Sequence, residues 1–194
     1  MNKFTSLFLE ELEQSISVKN LIRNDKEIYE AFSQSVAQIL KCLKGGNKIL
    51  LGGNGGSAAD SQHFASEIIS KFIKIRKHLP AIALTTDSSV ITSIGNDFGF
   101  EYIFAKQIEA LGNKNDIFVA FTTSCKSRNI INAIIAAKKK DMKVILFCGK
   151  KIPAKIKKNT DTILSIKSSS VPRIQENHLF IYHNICKIVD SSFY

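Results

Sequence analysis

Five short apolar runs separated by stretches of helical periodicity constrain this chain more than any other feature. They are KILLGG (48–53), PAIALTT (80–86), DIFVAFT (116–122), KVILFC (143–148) and DTILSIK (161–167). Runs that stay apolar on consecutive positions suit strands covered on both faces, and a helix between two such strands returns the chain to start the next one parallel to the last. The helices are legible from their own spacing. Ile28, Phe32, Val36, Ile39, Leu40 and Leu43 stripe the stretch 27–44, which GGN (45–47) ends. A helix is expected from Ser57, a short one capped by Asp87, and a single one over GFEYIFAKQIEAL (99–111). Others are expected over 127–140, more weakly over 152–159, and over 172–190, with Pro172 in its first turn. The pattern predicts an α/β three-layer sandwich, a five-stranded parallel sheet flanked by helices. No linker or repeat interrupts it, so one domain over 1–194 is expected.

Composition narrows the class. With 44% hydrophobic and 23% charged residues the chain is globular rather than disordered. No apolar run approaches the roughly 20 residues a membrane helix needs. The opening MNKFTSLFLEELEQ reaches Glu10 and Glu11 too early for a secretory signal, and reads as an amphipathic helix of a cytoplasmic protein. The four cysteines show no C-x-x-C spacing; Cys42, Cys148 and Cys186 sit in apolar patterns and are expected to be buried thiols. The net charge of +10 invites a nucleic-acid reading. Without an aromatic-rich RNA motif or zinc-finger spacing, the lysines read instead as a solvated surface that attracts anionic substrates.

Three stretches carry chemistry. GGNGGS (52–57) lies between a strand and a helix, where glycines admit a ligand and free helix-start amides favour an anion. It is neither a P-loop nor a G-x-G-x-x-G fingerprint. TTSCKS (122–127) puts four hydroxyls, Thr122, Thr123, Ser124 and Ser127, at a second strand end, more than an N-cap requires and suited to phosphate. On the helix that begins at the glycine loop, His63 and Glu67 share one face at i, i+4, a pair suited to zinc, to proton transfer, or to a plain surface hydrogen bond. The last helix adds Gln175, His178 and His183 in RIQENHLFIYH, with His178 open to a packing role.

Together GNGGSAADSQHFASE (53–67), LPAIALTTDSS (79–89), IGNDFGFEYIFAKQIEALG (94–112), TTSCKS (122–127) and PRIQENH (172–178) resemble the sedoheptulose 7-phosphate isomerases, or phosphoheptose isomerases, of the sugar-isomerase-domain (SIS) superfamily. The resemblance runs from about Gly45 to the C-terminus. It implies conversion of sedoheptulose 7-phosphate to D-glycero-D-manno-heptose 7-phosphate, the entry to heptose for bacterial surface glycans such as lipopolysaccharide or capsule. It implies one zinc per subunit on His63, Glu67, Gln175 and His183. Substrate contacts are implied at Asn54, Gly55, Gly56, Ser57, Glu67, Asn96, Asp97, Thr122, Thr123, Ser124, Ser127 and Gln175. A homotetramer with active sites between subunits is also implied, with residues 1–44 used in its packing. A non-catalytic or altered-specificity sugar-phosphate-binding protein on the same fold is the alternative.

The chemistry can also be argued directly. Moving a proton between adjacent carbons through an enediol needs a base, assigned to Glu67, and a group serving the oxygens, assigned to His183. Zinc would either polarise the carbonyl or be chiefly structural. Gln175 and His183 lie eight residues apart, hence about 12 Å along one helix and roughly 80° around it. At least one ligand is therefore expected from a neighbouring chain. Two departures from the family pattern stand out. Cys125 replaces a glycine at a turn expected to want positive φ, and Lys71 replaces an arginine.

Overall fold

A computed structural model describes residues 1–194. The apolar runs form β1 (Ile49–Gly52), β2 (Ala81–Ala83), β3 (Ile117–Thr122), β4 (Lys143–Gly149) and β5 (Thr162–Ile166). All neighbours pair in parallel, in the order β2-β1-β3-β4-β5. Side chains alternate across a strand, and here both sets are buried. Leu51, Val119, Phe121, Ile145, Phe147 and Leu164 enter one core cluster, whereas Leu50, Phe118, Ala120, Val144 and Leu146 enter the other. The first is closed by α2 (Lys26–Lys44), α3 (Gly56–Ile69) and α8 (Val171–Phe193). The second is closed by α5 (Ala105–Leu111), α6 (Arg128–Lys139) and α7 (Ala154–Lys158), with Ile91 and Ile94 of α4 (Ser88–Asp97) against its edge. The three-layer α/β sandwich of the sequence reading is what forms.

Local chemistry sets the ends. Asp87 caps α4 by accepting from the Val90 amide at 2.9 Å. At the end of α2 the chain turns through Gly46, φ +74°, while the Asn47 amide donates back to Cys42 O. Pro172 sits in the first turn of α8. The expectation of one helix over 99–111 is corrected: a 3-10 turn at Phe100–Tyr102 precedes α5, after Gly99 at φ +99°. Ile103 and Phe104 are both buried in the second cluster. Adjacent residues on an unbroken helix point about 100° apart, and the change of path brings both inward. All four cysteines are free and buried, Cys125 included.

The segment after α3 has no regular structure until β2, yet it is anchored. Asp190 of α8 accepts from the amides of Phe72 and Lys74 at 3.1 and 2.9 Å and from that of Ile73. Its other oxygen takes Arg76 Nε at 2.8 Å, with both side chains buried. Burial alone would raise the Asp190 carboxyl, but these donors outweigh it and hold it below its ordinary value. The exposed Lys71 does not share this role. At the other terminus, α1 (Lys3–Arg23) rests on α8 through Ser15 Oγ, which donates to Glu176 at 2.7 Å. Only Val18 of α1 is buried, and Phe4, Leu7, Phe8, Leu12 and Ile16 stay exposed. No helix is long and apolar enough to cross a membrane.

Candidate functional site

In this strand order the chain leaves β1 toward one side and β3 toward the other, opening a crevice at their carboxyl ends. The glycine loop follows β1 and TTSCKS follows β3, so the fold brings the two motifs together. Gly55 takes φ +55°, a conformation that suits glycine. A Cβ on Gly56 would lie 2.3 Å from Gln175 Nε2, so a larger residue there would push the glutamine amide out of the position it holds. Asn54 is held by a reciprocal amide pair: it donates to Asn129 at 2.9 Å and accepts from it at 2.8 Å. Asn129 drew no notice in the sequence, where a helix asparagine reads as surface.

Between the loops lies a cavity of about 250 Å³. Thr122, Thr123, Ser124 and Ser127 line one side, and Asn54, Gly56, Ser57 and Gln175 the other. The starts of three helices, α3, α6 and α8, meet here, and no lysine or arginine lines the cavity. Helix-start amides and hydroxyls are therefore the donors for an anion. Ser127 makes no side-chain cap on α6, which leaves its hydroxyl free. Thr122 Oγ1 accepts from the Cys125 amide at 3.1 Å, closing the turn in which Cys125 holds φ +56°. The positive φ expected from the family's glycine is present, on a residue for which it costs more.

About two turns further along α3 and α8 is a second cluster. His63 Nε2 and Glu67 Oε1 are 3.2 Å apart, and the His183 ring centroid is 5.0 Å from that of His63. Phe72 packs on His183 at 5.1 Å. Burial, then the proximity of His63, lowers the His183 imidazole below its ordinary value. His183 Nε2 is buried with no hydrogen-bond partner. Tyr182 Oη lies 3.1 Å from His63 Nδ1. Tyr182 and Asp60, one turn before His63, were missed in the sequence, where Tyr182 reads as core and Asp60 as surface. The i−3 spacing of Asp60 from His63 was the available signal.

The implied ligand quartet does not assemble in one chain. The donor types suit zinc and His183 Nε2 lacks a partner. Yet no three His, Cys, Asp or Glu side chains converge as a metal site, and Gln175 sits at the glycine loop, against Gly56. Asn96 and Asp97 are exposed at the end of α4, hydrogen-bonded to each other at 2.8 Å, and do not line the cavity. His178 is a packing residue: it is fully buried near Phe121 and Phe147, and burial pushes it down to about 4.

Residues 16–149 match the model of the SIS domain. The chain is 48% identical over 169 residues to the phosphoheptose isomerase of Neisseria meningitidis serogroup C, covering 86% of this chain and 85% of that protein. It is 44% identical over 187 residues to the phosphoheptose isomerase of Campylobacter concisus, covering 91% and 98%. A solved structure of the phosphoheptose isomerase GmhA from Neisseria gonorrhoeae superposes with a TM-score of 0.89 at 39% identity, covering 97% of this chain and all of that one.

Proposed function

The chain belongs to the SIS domain family, among the phosphoheptose isomerases, and we propose that it converts sedoheptulose 7-phosphate to D-glycero-D-manno-heptose 7-phosphate in the cytoplasm, as a step toward surface-glycan heptose. The observation that carries the reading is a cation-free hydroxyl cradle, set between the loop after β3 and the starts of α3 and α8, with an imidazole–carboxylate cluster two turns along those two helices. The cradle takes the phosphate on Thr122, Thr123, Ser124 and Ser127 and on the amides at the start of α3. Glu67 removes a proton from C1 of the ketose and returns it to C2, while His183 carries the proton exchanged between the two oxygens. Atoms balance, and no redox partner is consumed.

His63, Glu67 and His183, with Gln175, would hold a zinc ion, which when bound supplies Lewis-acid polarisation at the substrate oxygens. Because Gln175 and His183 are separated along α8, the quartet closes between copies of the chain. The exposed apolar face of α1 supports a homotetramer with shared sites. Proton NMR of the purified protein with sedoheptulose 7-phosphate, before and after chelation and zinc return, tests the reading. An anomeric heptose signal that tracks zinc is expected. Its absence from a folded, zinc-loaded oligomer would overturn the reading.

A further inference from the structure

Behind His63 stands a buried chain of polar groups that the proton transfer does not use. Tyr182 Oη is 3.1 Å from His63 Nδ1 and stands beside the Asp60 carboxyl as well. Tyr182 is fully buried and Asp60 nearly so. Asp60 Oδ2 has no hydrogen-bond partner, so the carboxyl is short of donors. A tyrosine hydroxyl has one proton to give. If it goes to Asp60, His63 must bring its own proton on Nδ1, and Nε2 is left as a lone pair. If it goes to His63, Asp60 is stranded and Nε2 carries the hydrogen toward Glu67.

The relative burial of the two ends decides between them. The Glu67 side chain is 21% exposed and can turn to water when it loses a donor. Asp60 cannot, and a buried carboxylate without a donor costs more than a hydrogen bond exchanged for solvent. We propose that Asp60 and Tyr182 are positioning residues that hold His63 in the Nδ1–H tautomer, with Nε2 presented unprotonated to the site. Burial raises the Asp60 carboxyl, and the hydrogen bond from Tyr182 works against that rise. Nε2 and Glu67 Oε1 then face each other as two acceptors at 3.2 Å, an arrangement completed by a cation between them. This last consequence rests on the zinc reading above; the tautomer does not.

Nitrogen-15 NMR of the metal-free protein at about pH 8, where a free imidazole is neutral, reads the tautomer directly. Single-histidine substitutions assign the four signals. Wild type is expected to show His63 protonated at Nδ1 alone. Tyr182→Phe and Asp60→Leu both remove the demand for that proton, and each should shift His63 toward Nε2–H. Either variant should also weaken zinc binding about 10- to 100-fold in a chelator competition. A change in packing alone would not move the proton between ring nitrogens, and circular dichroism shows whether each variant folds. Wild-type His63 carrying hydrogen on Nε2, alone or with Nδ1, overturns the proposal without need of either variant. So does a folded Tyr182→Phe protein with unchanged tautomer and zinc affinity. An inactive protein with the Nδ1–H tautomer would sink the isomerase reading and leave the relay standing.

Discussion

The two ends of the α3–α8 pair make an instructive contrast. At the amino ends one chain supplies everything a phosphate needs: a cavity, hydroxyls and the amides of three helix starts. Two turns on, the same helices carry donors that do not close around anything, and His183 Nε2 is buried without a partner. Backbone amides at a helix start come ready-made, so a binding cradle needs only glycine and small hydroxyl residues nearby. The proposed metal-assisted proton transfer needs three or four long side chains at one point, and two of its candidates, Gln175 and His183, stand eight residues apart on α8. On the proposed function, binding is built within the chain and chemistry is left to the meeting of copies.

Substitutions can break this division. Glu67→Gln should give the largest effect, a kcat lowered roughly 10²- to 10⁴-fold with KM within about twofold, in steady-state assays. A KM that rose instead would place Glu67 with the cradle. Ser127→Ala removes a hydroxyl that caps nothing, and losing a hydrogen bond to a charged phosphate should raise KM by roughly 10-fold or more with kcat retained. A fall in kcat alone would erase the contrast from the other side.

His178 lies between the two ends on the buried face of α8. Its imidazole is held down to about 4 by burial, against an ordinary value of 6.5. The unfolded chain therefore binds a proton that the folded one refuses as pH falls from 6.5 to 4, and stability is lost across that window. Asp60, pushed up to about 6, acts in the opposite sense between its ordinary 3.8 and that value, with stability lost as pH rises. The histidine effect must therefore be read as a difference. His178→Leu should gain roughly 3 kcal/mol relative to wild type between about pH 8 and pH 4, by urea denaturation. A constant difference would mean that α8 opens to water near His178. Cys125→Gly should give the smallest change. Relief of a left-handed residue, about 1 kcal/mol, is partly offset by glycine's greater freedom in the unfolded chain, and KM should fall a few-fold. An unchanged KM would show that the cradle tolerates the cysteine.

What could be read in advance divides along the same line. Strands such as Phe118–Ala120, apolar on both faces, declare a central parallel sheet before any contact is known. Gly55 and the TTSCKS hydroxyls mark in advance the two loops that flank the cavity, because local backbone chemistry suffices. The break between the 3-10 turn and α5 was hidden, since Phe100, Ile103, Phe104 and Ile108 fit helical spacing and only packing bends the path. Asp60 and Tyr182 were hidden for another reason. An aspartate in mid-helix is usually solvated, and only the approach of α8 to α3 reveals that this one is buried.

The clasp made by Asp190 gives the molecule a dependence on order of synthesis. Arg76 leaves the ribosome 114 residues before its carboxylate partner. Until the final helix emerges, the stretch that leads from α3 to β2 has nothing to fasten it, however early the glycine loop has turned. Without the Asp190 carboxylate, the folded chain would bury the Arg76 guanidinium with no counter-charge, at a cost of about 3–5 kcal/mol. The clasp thus ties the ordering of the connection between α3 and β2 to the docking of α8, so that the two should form together rather than in turn.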